Sequence, residues 1–118
     1  MIVHIHIMRY MEFFIKDTHY RNQFETGKSS GSLSRQSRTQ WEDRMFDKKY
    51  SKAKDSERVK YGVINMTNDP KGVNCATGYG LSYMLLKESV RGRCTITDKD
   101  SSSSDARVGT FKSCLHVL

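Results

Sequence analysis

The 118-residue sequence contains no run of about 18 apolar residues, the length a helix needs to cross a bilayer, which excludes a membrane-spanning helix. Its greasiest stretch, near the start, is interrupted by His4, His6 and Arg9 and lacks the basic region, apolar core and small-residue cleavage site of a secretory signal. Cysteine is scarce. Cys75, Cys94 and Cys114 are odd in number and widely spaced, which excludes a disulfide framework and a paired zinc-knuckle pattern. Together these absences predict a soluble, cytoplasmic protein with reduced thiols and no membrane partner. Apolar residues are few as well. At 36% hydrophobic and 28% charged, the chain is lean for a globular protein yet too rich for a wholly disordered one. A single small domain over residues 1–118 with a modest core is the expectation.

Charge is abundant and unevenly placed. The net charge is +7, and residues 35–60 hold nine Lys or Arg against five Asp or Glu, whereas residues 61–90 sum to zero. A basic stretch of this kind attracts nucleic acid, an anionic cofactor or an acidic protein surface. The ordinary reading is a solvated surface, because the five acids are interleaved with the nine bases.

Hydrophobic spacing predicts an α+β fold with about two helices and an antiparallel or mixed sheet of four or five strands. Residues 2–8 alternate as a buried strand, and residues 9–19 change to helical spacing. Tyr20 to Glu25 reads as extended, followed by a Ser/Gly-rich loop over residues 28–34. Thr39 and Glu42 form a capping-box pattern, which predicts a helix starting after Thr39 with Trp41 facing inward. Residues 59–66, 80–87 and 93–97 read as strands, the last two joined closely enough for a hairpin. The segment 98–105, with four consecutive serines between acids, is expected to be a mobile polar loop that folding can spare. The abrupt apolar end, Cys114 to Leu118, suggests a truncated chain.

Several groups carry chemistry. Gly27-Lys28-Ser29 echoes the end of a phosphate-binding loop, but the glycine required five positions earlier is Asn22. His4 and His6 share one face of the predicted strand, a spacing that suits a metal, with hydrogen-bonded core histidines as the commoner alternative. The segment from Thr18 to Gly27 is the densest set of functional groups, with an imidazole, a phenol, a guanidinium, two amides and a carboxylate. Such variety is kept where a ligand, a polar network or a helix end satisfies it. Tyr61-Gly62 and Tyr79-Gly80 each set an aromatic beside bare backbone near a strand, which suits either a flat ring or plain edge packing.

Three blocks, Tyr20 to Gly27 with Ser30-Gly31, Trp41 to Phe46 and Glu57 to Asn65, together resemble an uncharacterised, mainly bacterial family defined as a domain of unknown function. The resemblance spans roughly residues 18–100 and implies membership without implying an activity. The chemical content supplies one instead. An ADP-ribosyltransferase-like domain needs a cation for the pyrophosphate of NAD, aromatics around nicotinamide and a carboxylate to hold ribose as positive charge develops. Glu25 is the candidate catalytic carboxylate. Arg21, Arg58, Tyr61, Gly62, Asn65 and Tyr83 are the candidate cofactor-binding residues. The alternative is a non-catalytic basic module that docks residues 35–60 on nucleic acid or an acidic protein. A cysteine nucleophile ranks last, since Cys75 and Cys94 lack a histidine nearby in sequence.

Overall fold

The computed structural model describes residues 1–28 and 34–113. The Ser/Gly-rich loop and the apolar end with Cys114 therefore lie outside the described residues. The rest is α+β and forms two compact units, one from the described part of Met1–Leu33 with Arg58–Leu86, the other from Ser34–Glu57 with the described part of Lys87–Leu118. No helix among the described residues is long and apolar enough to cross a membrane.

In the first unit, β1 (Ile2–Ile5) pairs antiparallel with β2 (Ser82–Leu85), placing His4 opposite Tyr83. All four β1 residues are buried, as two-sided apolar patterning requires. The predicted strand over residues 2–8 is shorter than expected. It stops at Ile5, and α1 (Ile7–Lys16) begins after His6. The predicted strand over 59–66 reduces to one bridge, in which Ile2 and Val63 exchange two hydrogen bonds of 2.9 Å. Tyr20 to Glu25 is also not extended throughout, because α2 (Gln23–Thr26) supplies one helical turn. Ile2, Val3, Ile5, Phe24 and Ala76 form this unit's buried apolar core.

The second unit contains α3 (Arg35–Met45) and an antiparallel pair, β3 (Thr95–Thr97) with β4 (Val108–Thr110). The helix expected after Thr39 exists but starts earlier. Ser34 is its N-cap, and its side chain accepts from the Ser37 amide at 3.2 Å. Thr39 is thus interior to the helix, and Glu42, expected as the cap's reciprocal partner, is fully buried. Trp41 is half-buried rather than buried, with the Arg38 guanidinium 5.6 Å from its ring centroid. The serine-rich loop carries internal bonds. Asp98 accepts twice from Arg107 at 2.8 Å, and Arg44 donates to the carbonyls of Ser101 and Ser103. The Lys99 hydrogen bond, with help from Ser103, holds the Asp105 carboxyl down at about 2.

Among the described residues the strands make two two-stranded sheets, not one sheet of four or five. The hairpin expected from residues 80–97 does not form either. Its two arms are β2 and β3, and they pair with other strands, β2 with β1 and β3 with β4. Alternation fixes which face a strand buries and leaves its partner open.

Candidate functional site

The first unit gathers polar groups around α2. Asn22 is the N-cap, and its Oδ1 accepts from the amides of Phe24 and Glu25 at 2.9 and 3.1 Å. Glu25 returns the bond, its Oε2 accepting the Asn22 amide at 2.8 Å, which completes a capping box. Gly27 closes the turn in the left-handed conformation, its amide donating to the Gln23 carbonyl. The Asn22 side chain also donates to the Arg58 carbonyl at 3.3 Å, and the Arg58 guanidinium lies 4.3 Å from the centroid of the Phe24 ring. Lys60 stands 3.9 Å from Glu25 Oε2. The two segments singled out in the sequence, 21–27 and 58–65, therefore meet here.

The remaining oxygen of Glu25, Oε1, accepts from His19 Nε2 at 3.0 Å. Burial raises the pKa of this carboxyl, but the Asn22 amide, the His19 hydrogen bond and the Lys60 charge outweigh it and leave the pKa below the usual value. A folded pKa below the unfolded one stabilises the fold above the unfolded value, and that contribution disappears as pH falls through the folded value. Urea unfolding of Glu25→Gln should match the wild type more closely as pH falls below about 4, the ordinary carboxylate range. An equal difference at pH 7 and in acid would contradict this.

The other expected cofactor residues are occupied with building the unit. Arg21 forms a two-pronged pair with Asp17, at 3.0 and 2.8 Å. Asn65 exchanges hydrogen bonds with the Asp69 backbone at 2.8 and 3.0 Å, closing the Pro70 turn. Tyr83 donates its hydroxyl to the Pro70 carbonyl and lies 5.7 Å from the His4 ring. At Gly62, a Cβ would fall 2.7 Å from the Ile2 carbonyl oxygen, so this glycine serves close strand approach. Tyr61 is half-buried. Arg58 and Glu25 thus come together, whereas Asn65 and Tyr83 serve the turn at Pro70.

His4 is a buried backbone clamp. Its Nε2 accepts from the Val73 amide at 3.0 Å, so Nδ1 carries the proton and donates to the Gly80 carbonyl at 2.7 Å. Both ring nitrogens are committed, and His6 lies outside the strand, so the pair does not present two free imidazoles to a metal. Among the described residues, no group of three or more His, Cys, Asp or Glu is arranged to hold one.

In the second unit, the basic stretch turns sharply after α3. Asp47 and Lys48 adopt φ of 49° and 57°, and the Lys48 amide reaches the Asp43 carbonyl at 2.9 Å. Successive turns then set Lys48, Lys49, Lys52 and Lys54 out into solvent, with no ion pair to any of them among the described residues. The acids interleaved in sequence are only partly available to the lysines. Glu42 is buried, Asp55 pairs with Arg35, and Glu57 accepts the Lys54 backbone amide at 2.9 Å. Asp43 is half-buried, which leaves Asp47 and Glu57 as the exposed acids beside four exposed lysines. Tyr50 packs edge-on against Phe46 at 5.3 Å and stiffens the turn. Sequence reading found this stretch by its charge but missed the separation of the signs, because which acids turn inward depends on tertiary packing.

The model of the family described as Protein of unknown function (DUF3626) matches residues 5–118. No curated protein and no solved structure matches the chain.

Proposed function

We propose that this chain, which belongs to the DUF3626 family of proteins of unknown function, is a binding module for the phosphate backbone of nucleic acid, with Lys48, Lys49, Lys52 and Lys54 as its contact. The observation that carries this reading is the segregation of charge. Among the described residues, four exposed lysines form no side-chain ion pair, while Glu42 is buried and Asp55 pairs with Arg35, which leaves Asp47 and Glu57 as the exposed acids beside them. Lysine is a compact point charge that meets phosphates without demanding a fixed geometry, so the recognition is independent of base sequence.

If all four lysines neutralise phosphates, affinity for a short DNA duplex falls with a log–log salt slope of roughly −3.6, about a hundredfold between ~50 and ~200 mM salt. Fluorescence anisotropy with a labelled duplex measures this directly. Replacing the four lysines by glutamine should flatten the slope nearly to zero. Absence of duplex binding in the wild type, or an unchanged slope in the quadruple variant, would overturn the reading.

A second reading, ADP-ribosyltransferase-like use of NAD, draws support from the ionised Glu25 between Lys60 and the Arg58 segment. It ranks below the first because ribose must displace His19 or the Asn22 amide from Glu25, and pyrophosphate must displace Asp17 from Arg21. Calorimetric titration with NAD separates the two. Saturable binding that is lost in Glu25→Ala and Arg58→Ala, each still folded by circular dichroism, would reverse their order.

A further inference from the structure

The hydrogen bonds around His19 form a chain with a direction. The Glu25 carboxylate is ionised and only accepts, so His19 Nε2 carries the proton and donates to Oε1 at 3.0 Å. That tautomer leaves Nδ1 as an acceptor. The group facing it, at 3.3 Å, is the Thr18 hydroxyl, which therefore donates its proton toward the imidazole. The carboxylate is fixed from its other side by the Asn22 amide, so the orienting member is held by the backbone rather than by a free side chain. Thr18 is exposed and the His19 side chain is 49% exposed, whereas the Glu25 side chain is only 9% exposed, so the reactive end faces solvent and the orienting end is covered.

A hydroxyl within reach of an imidazole whose other nitrogen is held by a fixed carboxylate is the arrangement that activates an oxygen nucleophile. We propose that Thr18, His19 and Glu25 form a nucleophilic site that takes acyl groups from activated esters, with Thr18 as nucleophile, His19 as general base and Glu25 as positioning residue. Thr18 Oγ1 attacks the ester carbonyl carbon while His19 Nδ1 accepts the hydroxyl proton. The bond to the leaving oxygen then breaks and the alcohol or phenol departs with a proton, leaving an ester on Thr18. Water, deprotonated by the same Nδ1, attacks that ester, releases the carboxylic acid and restores the hydroxyl. This site shares no residue with the lysine turn and does not depend on nucleic-acid binding.

The test is incubation of the full chain with p-nitrophenyl acetate, followed by peptide mapping of hydroxylamine-labile acetyl esters and by release of p-nitrophenolate. Amide-linked acetyl groups on the lysines resist hydroxylamine and are thereby set apart. The expected result is an ester on Thr18 that survives in Thr18→Ser, disappears in Thr18→Val, and forms about a hundredfold more slowly in His19→Asn. Glu25→Gln keeps the helix cap, since glutamine also serves at that position, yet should slow acylation by about tenfold or more. Nitrogen-15 NMR of His19 should report the Nε2-protonated tautomer in the wild type and a mixture in Glu25→Gln, and acylation should slow in step with the lost tautomer, a correlation that a purely structural role would not produce. Absence of an ester on Thr18, or an ester whose rate is the same in His19→Asn, would overturn the proposal.

Discussion

Gly80→Ala should destabilise the protein by about 4 kcal/mol or more, a large share of the roughly 5–15 kcal/mol that holds a typical domain folded. Gly80 follows the 3-10 turn Asn74–Tyr79 and takes φ of 139°, a region that side-chain-bearing residues rarely enter. A Cβ built there would fall on the carbonyl of Ile5 and the amide nitrogen of His6, both backbone groups at the end of β1. No side-chain rotation relieves such an overlap, so β1 and the turn must separate. The Gly80 carbonyl, which accepts from His4, would move with them. Gly78→Ala is the matched control, because a Cβ there meets nothing within 4 Å. Urea unfolding of both variants checks the expectation. A Gly80→Ala midpoint equal to that of the control would show that the approach can relax.

This glycine also marks the limit of what the residues disclose on their own. Tyr79-Gly80 drew notice as an aromatic beside bare backbone, a reading compatible with a ring-binding surface. Its conformation instead answers to Ile5 and His6, which lie far away in sequence. Local patterns performed well where the cause is local. Alternation located β2 and β3, and helical spacing located most of α1. Pairing was not legible, since β2 joins β1 across most of the chain and β3 joins β4 across the serine loop. At α3 the capping pattern at Thr39 did not set the start. The helix caps at Ser34 instead, because Arg35 and Gln36 are good helix formers with nothing to stop them.

The candidate site was legible as composition and not as wiring. Glu25 stood out as the carboxylate among cations, and the structure does place it beside Lys60 and the Arg58 segment. The signal that explains its immediate environment was also in the sequence, since Asn22 with Glu25 three residues later is a capping-box pattern. That pattern predicts a carboxylate whose inner oxygen is taken by backbone. It leaves the outer oxygen to whatever the preceding residues bring, which here is His19. The lysine turn shows the converse. Its four positive charges are plain in the sequence, but the burial of Glu42 and the pairing of Asp55 with Arg35 depend on the fold.

His4→Leu replaces a side chain that makes one buried and one part-buried hydrogen bond, and it should cost about 3 kcal/mol because the partners it abandons are backbone groups. His4 is 6% exposed. Without the imidazole, the Val73 amide loses its acceptor and the Gly80 carbonyl loses its donor, and water has little access to the buried Gly80 carbonyl. Leucine restores the apolar contact with Tyr83 but neither bond, so the loss reflects polar groups left unsatisfied rather than a cavity. His4→Gln, whose amide can donate to one backbone group and accept from the other, should recover part of the stability. Gly72 sets how tightly the ring is seated, since a Cβ there would come within 2.5 Å of His4 Nε2. Amide hydrogen exchange gives the decisive readout. Val73 should be protected in the wild type and should exchange by local opening, much faster than global unfolding allows, in His4→Leu. Unchanged protection of Val73 with an unchanged unfolding midpoint would mean that His4 does not clamp this turn.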